Sequence, residues 1–590
     1  MMMDKQTLLE VLGRHPKPDC LLPVSPEKRE QILNGEVYRD YLGQMQKQGE
    51  LYRSKTVVTI PYGAFKLYET TGDRKIYQEY YFDNRGRVAT LALLVWLYGK
   101  EEDIHALEDA VWSVCDEYTW ALPAHLNGQG LSRLEDDGYT IDLFAGETAC
   151  LLSEVMALVG DKLAPIVVKR ARYLVETRVL DRMLETTFGW ETAKNNWAAV
   201  CGGSVGVAAM YETDGEKLAA LLARMQAAME SYISSFPADG TSMEGISYWT
   251  YGFSFFVAYA EMLCRLTEGE IDWFKDERVH QIALFQQKAY FEGGNIIKFA
   301  DCNPADTTRW WGLTSYMKSR YPDIDPLPRP YFSAYTGDAC YRWAGMLRDL
   351  AWSDESLDEN HKPDKNYILP DAQWLICNGK SGVSLAAKGG TNGESHNHND
   401  IGSFELFKNG EEMLIDYGSG VYSKDYFSEK RYEQFVCGSQ GHSVPIVEGQ
   451  YQVPGEEHGA RNVTFGQWWM EMDLASAYAD ENLRSLVRKI VFDPETGKTT
   501  LKDTFAFDTA PTAITERFIT RSKAEVCGDT VRLTGEKAVV TIHFEAGKLK
   551  PELGQKEVQA HGENCWETLY TVDFAAVDPR AACSFEFVIE

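Results

Sequence analysis

The sequence is short of basic residues. It has 59 Lys and Arg against 88 Asp and Glu, which gives a formal net charge of -29 at pH 7. Nucleic acids and anionic membranes are bound mainly through clustered Lys and Arg side chains. We therefore expect neither as a partner. An anionic ligand would have to be held by a local group of basic side chains in a chain that is acidic overall.

The sequence also lacks features that mark particular compartments. No stretch reaches the roughly 18 uninterrupted apolar residues of a membrane span, and the N-terminal MMMDKQTLLEVLGRHPKPDC has no apolar core of the kind that a signal peptide needs. The twelve cysteines are scattered singly without a C-x-x-C pair, and Cys115, Cys150 and Cys264 lie in apolar segments. These features predict a cytoplasmic protein with reduced thiols. A Walker-type G-x-x-x-x-G-K-[ST] loop is absent as well.

What the sequence does contain is a change of pattern. At 590 residues it exceeds what one hydrophobic core usually organises. From about residue 30 to about residue 350 apolar residues recur at helical spacing, and after SDESLDENHKPDKN short alternating runs predict strands, with a tight hairpin at Asn409-Gly410. We therefore predict a multidomain protein, α then β, with a helical domain over residues 1–355 and an antiparallel β domain over residues 356–590.

A histidine cluster follows this boundary. His396 and His398 would share a face if they lay on a strand, Asp416 ends the next predicted strand, and His442 follows in GHSVPIVEGQYQ. Neutral imidazole and carboxylate groups are ordinary zinc ligands, and manganese is a rival where oxygen ligands and water complete the sphere. His398, Asp416 and His442 are therefore a candidate site for one divalent metal ion. The alternative is that these groups only satisfy one another's hydrogen bonds.

The segments HNHNDIGSF, LIDYGSGVY and GHSVPIVEGQYQ resemble the C-terminal half of the heparinase II/III-like polysaccharide lyase family. The resemblance implies a helical (α/α) toroid, or incomplete barrel, followed by an antiparallel β-sandwich. It also implies that His398, Asp416 and His442 hold a structural metal ion, usually zinc, while His396 faces the substrate. Ser443 departs from the family pattern, in which Asn often follows the later histidine.

The resemblance extends to two segments of the helical half. KNNWAAVCGGSVG is similar to the family's Asn-Asn-Trp motif, and DGTSMEGISYWTYGFSFF resembles its segment D-G-x-x-x-E-G-x-x-Y-x-x-Y. It implies that Asn196, or else Asn195, neutralises a uronate carboxylate, and that Tyr251, or else Tyr248 one helical turn earlier, transfers the proton. From the residues alone, an Asn pair before a helix is more often an N-cap and a single tyrosine more often packs.

Elimination from a uronate glycan requires that the carboxylate be neutralised, the C5 proton removed and the departing O4 protonated. A tyrosine, with an unperturbed pKa of about 10, is a weak base unless a positive charge or a donor stabilises its phenolate. One tyrosine can act as base and acid when the proton and the leaving oxygen lie on the same face of the sugar. If they lie on opposite faces, His396 is the better base and tyrosine the acid.

Further residues are candidates for binding the sugar. His125 lies in WALPAHLNG, which is similar to a W-x-x-P-x-H segment that lines the cleft in relatives. Asp142 and Glu147 lie near a helix start, where capping is the alternative role. The other candidates would supply stacking surface or positive charge: Trp197, Arg87, Arg309 with Trp310 and Trp311, and Arg431.

The resemblance predicts a lyase that cleaves a uronate-containing polysaccharide or oligosaccharide by β-elimination. Glycosaminoglycans such as hyaluronan, chondroitin sulfate and heparan sulfate are the first expectation, and alginate or oligoalginate the second. Two rivals stay open: a glycoside hydrolase, which would need a carboxylate pair, and a non-catalytic glycan-binding protein on the same fold. A homo-oligomer is compatible with the sequence.

Overall fold

The computed structural model describes residues 2–18, 20–126, 139–291, 294–303, 311–325, 334–357, 365–559 and 566–590. Within these ranges the chain is helical up to Trp352 and forms strands from Tyr367 onwards. The α-helices are α1 (Lys5–Arg14), α2 (Pro26–Asn34), α3 (Arg39–Ser54), α4 (Tyr62–Phe65), α5 (Leu67–Thr71), α6 (Lys75–Tyr98), α7 (Glu101–Asp116), α8 (Leu143–Val159), α9 (Pro165–Val175), α10 (Asp181–Glu185), α11 (Asn196–Glu212), α12 (Gly215–Ile233), α13 (Ile246–Leu266), α14 (Glu277–Ala283), α15 (Phe285–Lys288), α16 (Trp311–Arg320) and α17 (Trp343–Trp352).

The helical half is organised around α11, which packs against α8, α12 and α13. Small residues allow this helix to approach its neighbours closely. A Cβ atom added at Gly203 would lie 2.6 Å from the carbonyl oxygen of Phe255 on α13. Replacing this glycine by a larger residue would therefore force the two helices apart. Their close approach explains why a glycine, which is otherwise unfavourable in a helix interior, occupies this position.

One stretch in the described part of the chain, Leu143–Lys162, is long and apolar enough to cross a membrane, but 78% of its most apolar window is buried inside the protein. Helix α8 forms most of this stretch, and its N-cap is Asp142, whose side chain accepts a hydrogen bond from the Ala145 N–H. Helix α8 is therefore a core helix, and it is apolar all round because neighbouring helices surround it.

The second half is built of antiparallel strands. They are β1 (Tyr367–Leu369), β2 (Trp374–Asn378), β3 (Val383–Lys388), β4 (Thr391–Asn392), β5 (Phe404–Lys408), β6 (Glu411–Leu414), β7 (Ile446–Val447), β8 (Gly455–Gly459), β9 (Arg461–Gly466), β10 (Trp469–Asp473), β11 (Leu483–Phe492), β12 (Thr499–Phe507), β13 (Ile514–Thr520), β14 (Lys523–Cys527), β15 (Thr530–Thr534), β16 (Val539–Phe544), β17 (Leu549–Gln559), β18 (Trp566–Ala576) and β19 (Ala582–Ile589). The strand orders of the larger sheets are β1-β2-β3-β5-β6, β14-β15-β16-β19-β12-β11-β10-β9 and β17-β18-β13-β7, and β4 pairs with β8.

The β5–β6 hairpin forms where the Asn-Gly pair predicts it. Lys408 pairs with Glu411, and the two residues between them, Asn409 and Gly410, have φ values of 55° and 73°. Both lie in the left-handed region, which a two-residue type I′ turn requires and which Asn and Gly adopt most readily. This prediction is confirmed.

The five-stranded sheet joins the two halves. Trp374 and Ile376 on β2 belong to the core shared with the helices, whereas Leu375 and Cys377 belong to the core of the β half. Successive side chains of a strand point to opposite faces, so one strand serves both cores. The predicted order of helices followed by antiparallel sheets is confirmed, and the division at residues 355 and 356 stays a prediction.

Candidate functional site

A tyrosine of the helical half and a histidine of the β half stack on each other. The rings of Tyr248, in the first turn of α13, and His396 have centroids 4.0 Å apart at an interplanar angle of 25°. The Tyr248 hydroxyl is 2.8 Å from that of Tyr422. His396 has a φ of 57°, a left-handed conformation that costs a non-glycine residue about 1 kcal/mol or more and that concentrates at functional sites.

The expectation that His396 and His398 share a face of a strand is wrong, because both lie in the loop between β4 and β5. What they share is an acceptor, Asp301. Its carboxylate accepts hydrogen bonds from His396 Nδ1 at 2.8 Å, His398 Nε2 at 3.0 Å, Arg431 Nη2 at 2.8 Å and the Tyr426 hydroxyl. Burial alone would raise the pKa of Asp301, but these donors lower it well below its usual range. Asp301 is thus a buried anion that ties the two histidines together.

A second carboxylate reaches the other side of the imidazole. Glu244 Oε1 is 3.5 Å from His396 Nε2 and accepts a hydrogen bond from the Ser395 hydroxyl, while Glu244 Oε2 accepts one from the Asn196 N–H at 3.0 Å. Burial raises the pKa of Glu244. Asn196 is 1% exposed, and its side-chain Oδ1 has no hydrogen-bond partner within the described ranges. Glu244 therefore links Asn196 to His396.

The other two residues of the Asn and Tyr motifs have different surroundings. Asn195 is the N-cap of α11, because its side chain accepts a hydrogen bond from the Trp197 N–H at 3.1 Å. The Tyr251 hydroxyl donates a hydrogen bond to Glu147, and the Arg342 guanidinium lies 4.0 Å from the centre of the Tyr251 ring. Burial raises the pKa of Tyr251 well above its usual value. Of the two candidate tyrosines, the structure brings Tyr248 to His396 and commits Tyr251 to Glu147.

The predicted metal ligands form a buried cluster that could bind a metal ion. His398, Asp416 and His442 are 0% exposed, and their ligand atoms, with one from Asp400, lie within 4.8 Å of one another. His398 Nδ1, Asp416 Oδ2 and His442 Nδ1 have no hydrogen-bond partner in the described part of the chain, although the last two are 3.1 Å apart. Three buried, unsatisfied atoms that converge are expected of a metal site. Asp400 differs, because Lys388 Nζ binds both its oxygens at 2.7 and 2.9 Å.

The far side of each imidazole is held by the protein. His398 Nε2 donates to Asp301, and His442 Nε2 is 3.0 Å from the Val436 carbonyl oxygen. Such bonds fix the tautomer and leave the Nδ1 lone pair free to bind a metal. An imidazole, imidazole and carboxylate set suits zinc. Asp301, His398 and Cys437 form a second group with converging ligand atoms.

Two of the candidate sugar-binding residues lie in one cavity. His125 and Trp197 contact each other edge to face with ring centroids 4.9 Å apart, and both line a cavity of about 340 Å³. His125 Nδ1 is 2.7 Å from Asp142 Oδ2, and Arg74 Nη2 is 3.2 Å from His125 Nε2. Since a guanidinium can only donate, His125 carries its proton on Nδ1. His125 is thus fixed in place from both sides.

Two candidate arginines, Arg87 and Arg431, have their described contacts elsewhere. Arg87 is buried and donates to the carbonyl oxygens of Tyr52 and Lys55. Arg431 is also buried, and its guanidinium binds Asp301 and the Asn397 carbonyl oxygen. These contacts give both a role inside the protein and do not support sugar contact. Arg309 and Trp310, with the side chain of Trp311, lie outside the described residues.

Sequence reasoning missed Asp301 and Glu244. Glu244 is the acidic residue of the quoted segment DGTSMEGIS, which was a usable signal, whereas Asp301 lies in an aperiodic stretch with none. The run Gly202-Gly203-Ser204-Val205-Gly206 has the letters of a G-x-S-x-G nucleophile elbow, but it lies inside α11 and Ser204 is 0% exposed. An elbow needs an exposed serine on a sharp strand-to-helix turn, so this run is a packing segment.

Comparison with known proteins identifies the fold and a family match for part of the chain. Residues 367–558 match the family described as heparinase II/III-like, C-terminal. No curated protein matches the sequence significantly. Among solved structures, a heparan sulfate lyase from Pedobacter heparinus aligns with a TM-score of 0.58 and 14% identity over 100% of this chain and 92% of its own.

Two other solved structures are similar. A heparinase III aligns with a TM-score of 0.62 and 12% identity over 95% of this chain and 91% of its own. A chondroitin AC lyase from Streptomyces coelicolor A3, in complex with chondroitin sulphate, aligns with a TM-score of 0.57 and 11% identity over 99% of this chain and 82% of its own. At these identities the likeness establishes the fold. The predicted helical toroid followed by an antiparallel β-sandwich is confirmed, as is the resemblance from which it came.

Proposed function

We propose, from the premise that residues 367–558 form a heparinase II/III-like C-terminal domain, that the chain is a lyase that cleaves a uronate-containing glycosaminoglycan by β-elimination. The observation that carries the proposal is the stack of Tyr248 on His396, with centroids 4.0 Å apart, beside Asn196 and Glu244. Helical and β halves contribute to one group of polar side chains of the types that elimination requires. Fold alone would not support a reaction.

The carboxylate of the sugar would be met by Asn196 and Glu244. Asn196 would donate from its Nδ2–H groups, since the amide Oδ1 can only accept. The Oδ1 atom, which has no hydrogen-bond partner in the described part of the chain, could accept from a sugar hydroxyl. Burial raises the pKa of Glu244, which favours its neutral form. In that form Glu244 would donate to the sugar carboxylate instead of repelling it. Such donors withdraw charge from the carboxylate and make the C5 proton more acidic.

The proton transfers fall to His396 and Tyr248. Burial raises the pKa of Tyr248, and the charge of Asp301 raises it further, so the phenol keeps its proton and suits protonation of the leaving oxygen. His396 Nε2 would take the C5 proton. The C5–H electrons then form the C4–C5 double bond, the C4–O4 bond breaks, and O4 receives the Tyr248 proton. One proton must afterwards pass from His396 to Tyr248, which stacks directly on it.

His398, Asp416 and His442 would hold one structural divalent ion, zinc first and manganese as the alternative. The three unsatisfied ligand atoms support this assignment. When bound, the ion would lock the loop after β4 that carries His396. Asp301 would pass this constraint on to the His396 side chain, because its carboxylate binds both His398 Nε2 and His396 Nδ1.

The proposal is tested by incubating the purified protein with hyaluronan, chondroitin sulfates, heparan sulfate, heparin and alginate and recording the ultraviolet absorbance of a C4–C5 unsaturated uronate. The Tyr248→Phe protein, prepared in parallel, is the control for a contaminating lyase. Absorbance that rises with the wild type and not with the variant supports the proposal and identifies the substrate. New reducing ends without absorbance would indicate hydrolysis. Neither signal, on polymers or on oligosaccharides, would contradict a catalytic role on these glycans.

A further inference from the structure

A buried arginine of the β half binds the backbone of both segments that carry the proposed metal ligands. Arg488, on β11, is 1% exposed. Its Nη1 donates to the carbonyl oxygen of Ser443 at 2.7 Å and to that of Gly402 at 2.9 Å. Ser443 directly follows His442, and Gly402 lies four positions after His398. One guanidinium nitrogen thus joins the two loops that meet at the cluster.

The other side of this guanidinium is anchored in the sandwich. Arg488 Nε and Nη2 bind the two oxygens of Asp503, on β12, at 2.9 and 2.6 Å, and Nη2 is 3.3 Å from Glu516 Oε2, on β13. Strand β12 belongs to the eight-stranded sheet and β13 to the four-stranded sheet. Because a guanidinium is a rigid planar fork, a bidentate carboxylate fixes the direction of its remaining nitrogen. The strands therefore set where Nη1 points.

The two loops are anchored to different sheets. The Gly402 N–H donates to the carbonyl oxygen of Lys388, on β3, at 3.0 Å, whereas the Ser443 hydroxyl accepts from the Ile519 N–H, on β13, at 3.2 Å. Neither Gly402 nor Ser443 lies in a strand, so no ladder of backbone hydrogen bonds fixes the separation of their carbonyl groups. Buried carbonyl oxygens need donors. Here Arg488 Nη1 is a donor that both loops share.

We propose that Arg488 is a positioning residue of the metal cluster. By holding both carbonyl oxygens, it keeps His398 and His442, whose ring centroids are 5.2 Å apart, at the separation that one ion requires. The inference rests on the proposed function for the assignment of a metal ion to this cluster. Without the guanidinium every ligand would still be present, but the two loops could move apart. Metal affinity should then fall although no ligand is lost, because the site is no longer preorganised.

The test is the zinc affinity of the full chain, stripped of metal and titrated in competition with a chromophoric chelator. Arg488→Lys keeps a positive charge beside Asp503, but an ammonium group lacks the fork that reaches the carboxylate and both carbonyl oxygens. It should bind zinc about 10- to 100-fold more weakly, as when partners of metal ligands are removed. Arg348→Lys is the matched control, since Arg348 is 3% exposed and makes a two-bond pair with Glu154 in the helical half.

A second variant removes the guanidinium without leaving an unpaired charge. Arg488→Met combined with Asp503→Asn replaces the ion pair by uncharged side chains, a change that often costs little stability in a protein interior. Burial raises the pKa of Glu516 well above its usual value, so this carboxyl group can stay protonated beside them. The double variant should lose zinc affinity as Arg488→Lys does. Near-ultraviolet circular dichroism of the metal-free proteins establishes that each variant is folded.

The outcomes separate this inference from the proposed function. Weaker zinc binding by the Arg488 variants, with Arg348→Lys equal to the wild type, supports the positioning role even if no glycan yields an unsaturated product. Wild-type zinc affinity in a folded Arg488 variant overturns it, also where the lyase reaction is demonstrated. Equal weakening in Arg348→Lys would trace the effect to a general loss of stability and overturn it too. A wild type that binds no zinc overturns it together with the metal assignment.

Discussion

His396 Nδ1 lies 2.8 Å from Asp301 Oδ2, and this hydrogen bond joins a histidine of the β half to a carboxylate of the helical half. Because an ionised carboxylate can only accept, the imidazole proton is on Nδ1 and Nε2 faces Glu244. The same carboxylate binds His398 through Nε2, which turns the Nδ1 of that ring towards Asp416 and His442. Asp301 therefore orients both the proposed base and a proposed metal ligand.

Asp301→Asn should lower kcat by about 100-fold and change KM much less, since an amide can donate to a histidine and so favour the wrong tautomer. Steady-state kinetics on the substrate identified by the absorbance assay provides the measurement, with metal content determined on the same samples. Asp425→Asn is the control, because Asp425 is 58% exposed and its partner Lys430 is 3.8 Å away. An unchanged kcat in Asp301→Asn would remove the orienting role.

Tyr248→Phe should reduce kcat by at least about 100-fold, the usual contribution of a general acid or base. Tyr251→Phe should keep most of the activity, because the Tyr251 hydroxyl is engaged by Glu147. The free energy of unfolding of Tyr251→Phe should be about 1 to 2 kcal/mol lower than that of the wild type, because a hydrogen bond to a carboxyl group is lost. Kinetics and urea unfolding of both proteins distinguish the roles. The opposite result would restore Tyr251, the first choice from sequence, as the proton-transfer residue.

The two tyrosines show where sequence reasoning stops. Tyr248 and Tyr251 are three positions apart on α13 and so lie on neighbouring parts of one helix surface. Their spacing cannot say which one meets His396, because that depends on how α13 packs against α8, α17 and the loop after β4. The metal cluster was easier to predict, since His398, Asp416 and His442 occur in short segments with a family pattern.

Long-range partners were the harder part of the site. Asp301 is 95 positions from His396 in sequence and has no periodic or motif signal around it. Only the docking of the two halves brings it under the histidines. In the fold, by contrast, periodicity gave the helices and strands, and the Asn409-Gly410 turn followed from local backbone preference alone. Local rules thus predicted the secondary-structure elements, whereas tertiary packing determined which residues meet at the candidate site.

His442→Ala should release the metal ion and lower the melting temperature. The variant removes one of three converging ligands, which should cost at least about tenfold in metal affinity. Elemental analysis of the dialysed protein and thermal unfolding with and without added zinc are the measurements. His458→Ala is the control, because His458 binds the Ser476 carbonyl oxygen at 2.8 Å outside the cluster. The assignment would be contradicted if the His442→Ala protein held as much metal as the wild type, or if neither protein held any.

Glu147 should make stability depend on pH. Burial raises its pKa from 4.5 to about 7. A group whose pKa is higher in the folded protein than in the unfolded chain makes its full contribution to stability at pH values below its pKa in the unfolded chain. This contribution is lost as the pH rises through its pKa in the folded protein. Wild type should therefore lose about 2 to 3 kcal/mol relative to Glu147→Gln between pH 4.5 and pH 7.5.

Urea unfolding of wild type and Glu147→Gln at several pH values in this window measures the difference between their free energies of unfolding. Glu185→Gln, at a site 69% exposed, should run parallel to the wild type. If the Glu147→Gln curve is also parallel, the Glu147 carboxyl group has the same pKa in the folded and the unfolded chain. Tyr251 then donates to a carboxylate over most of the window. If the curves diverge with the predicted sign, Glu147 is neutral at the acidic end of the window. The Glu147–Tyr251 contact then joins two neutral groups there, which agrees with a packing role for Tyr251 and leaves proton transfer to Tyr248.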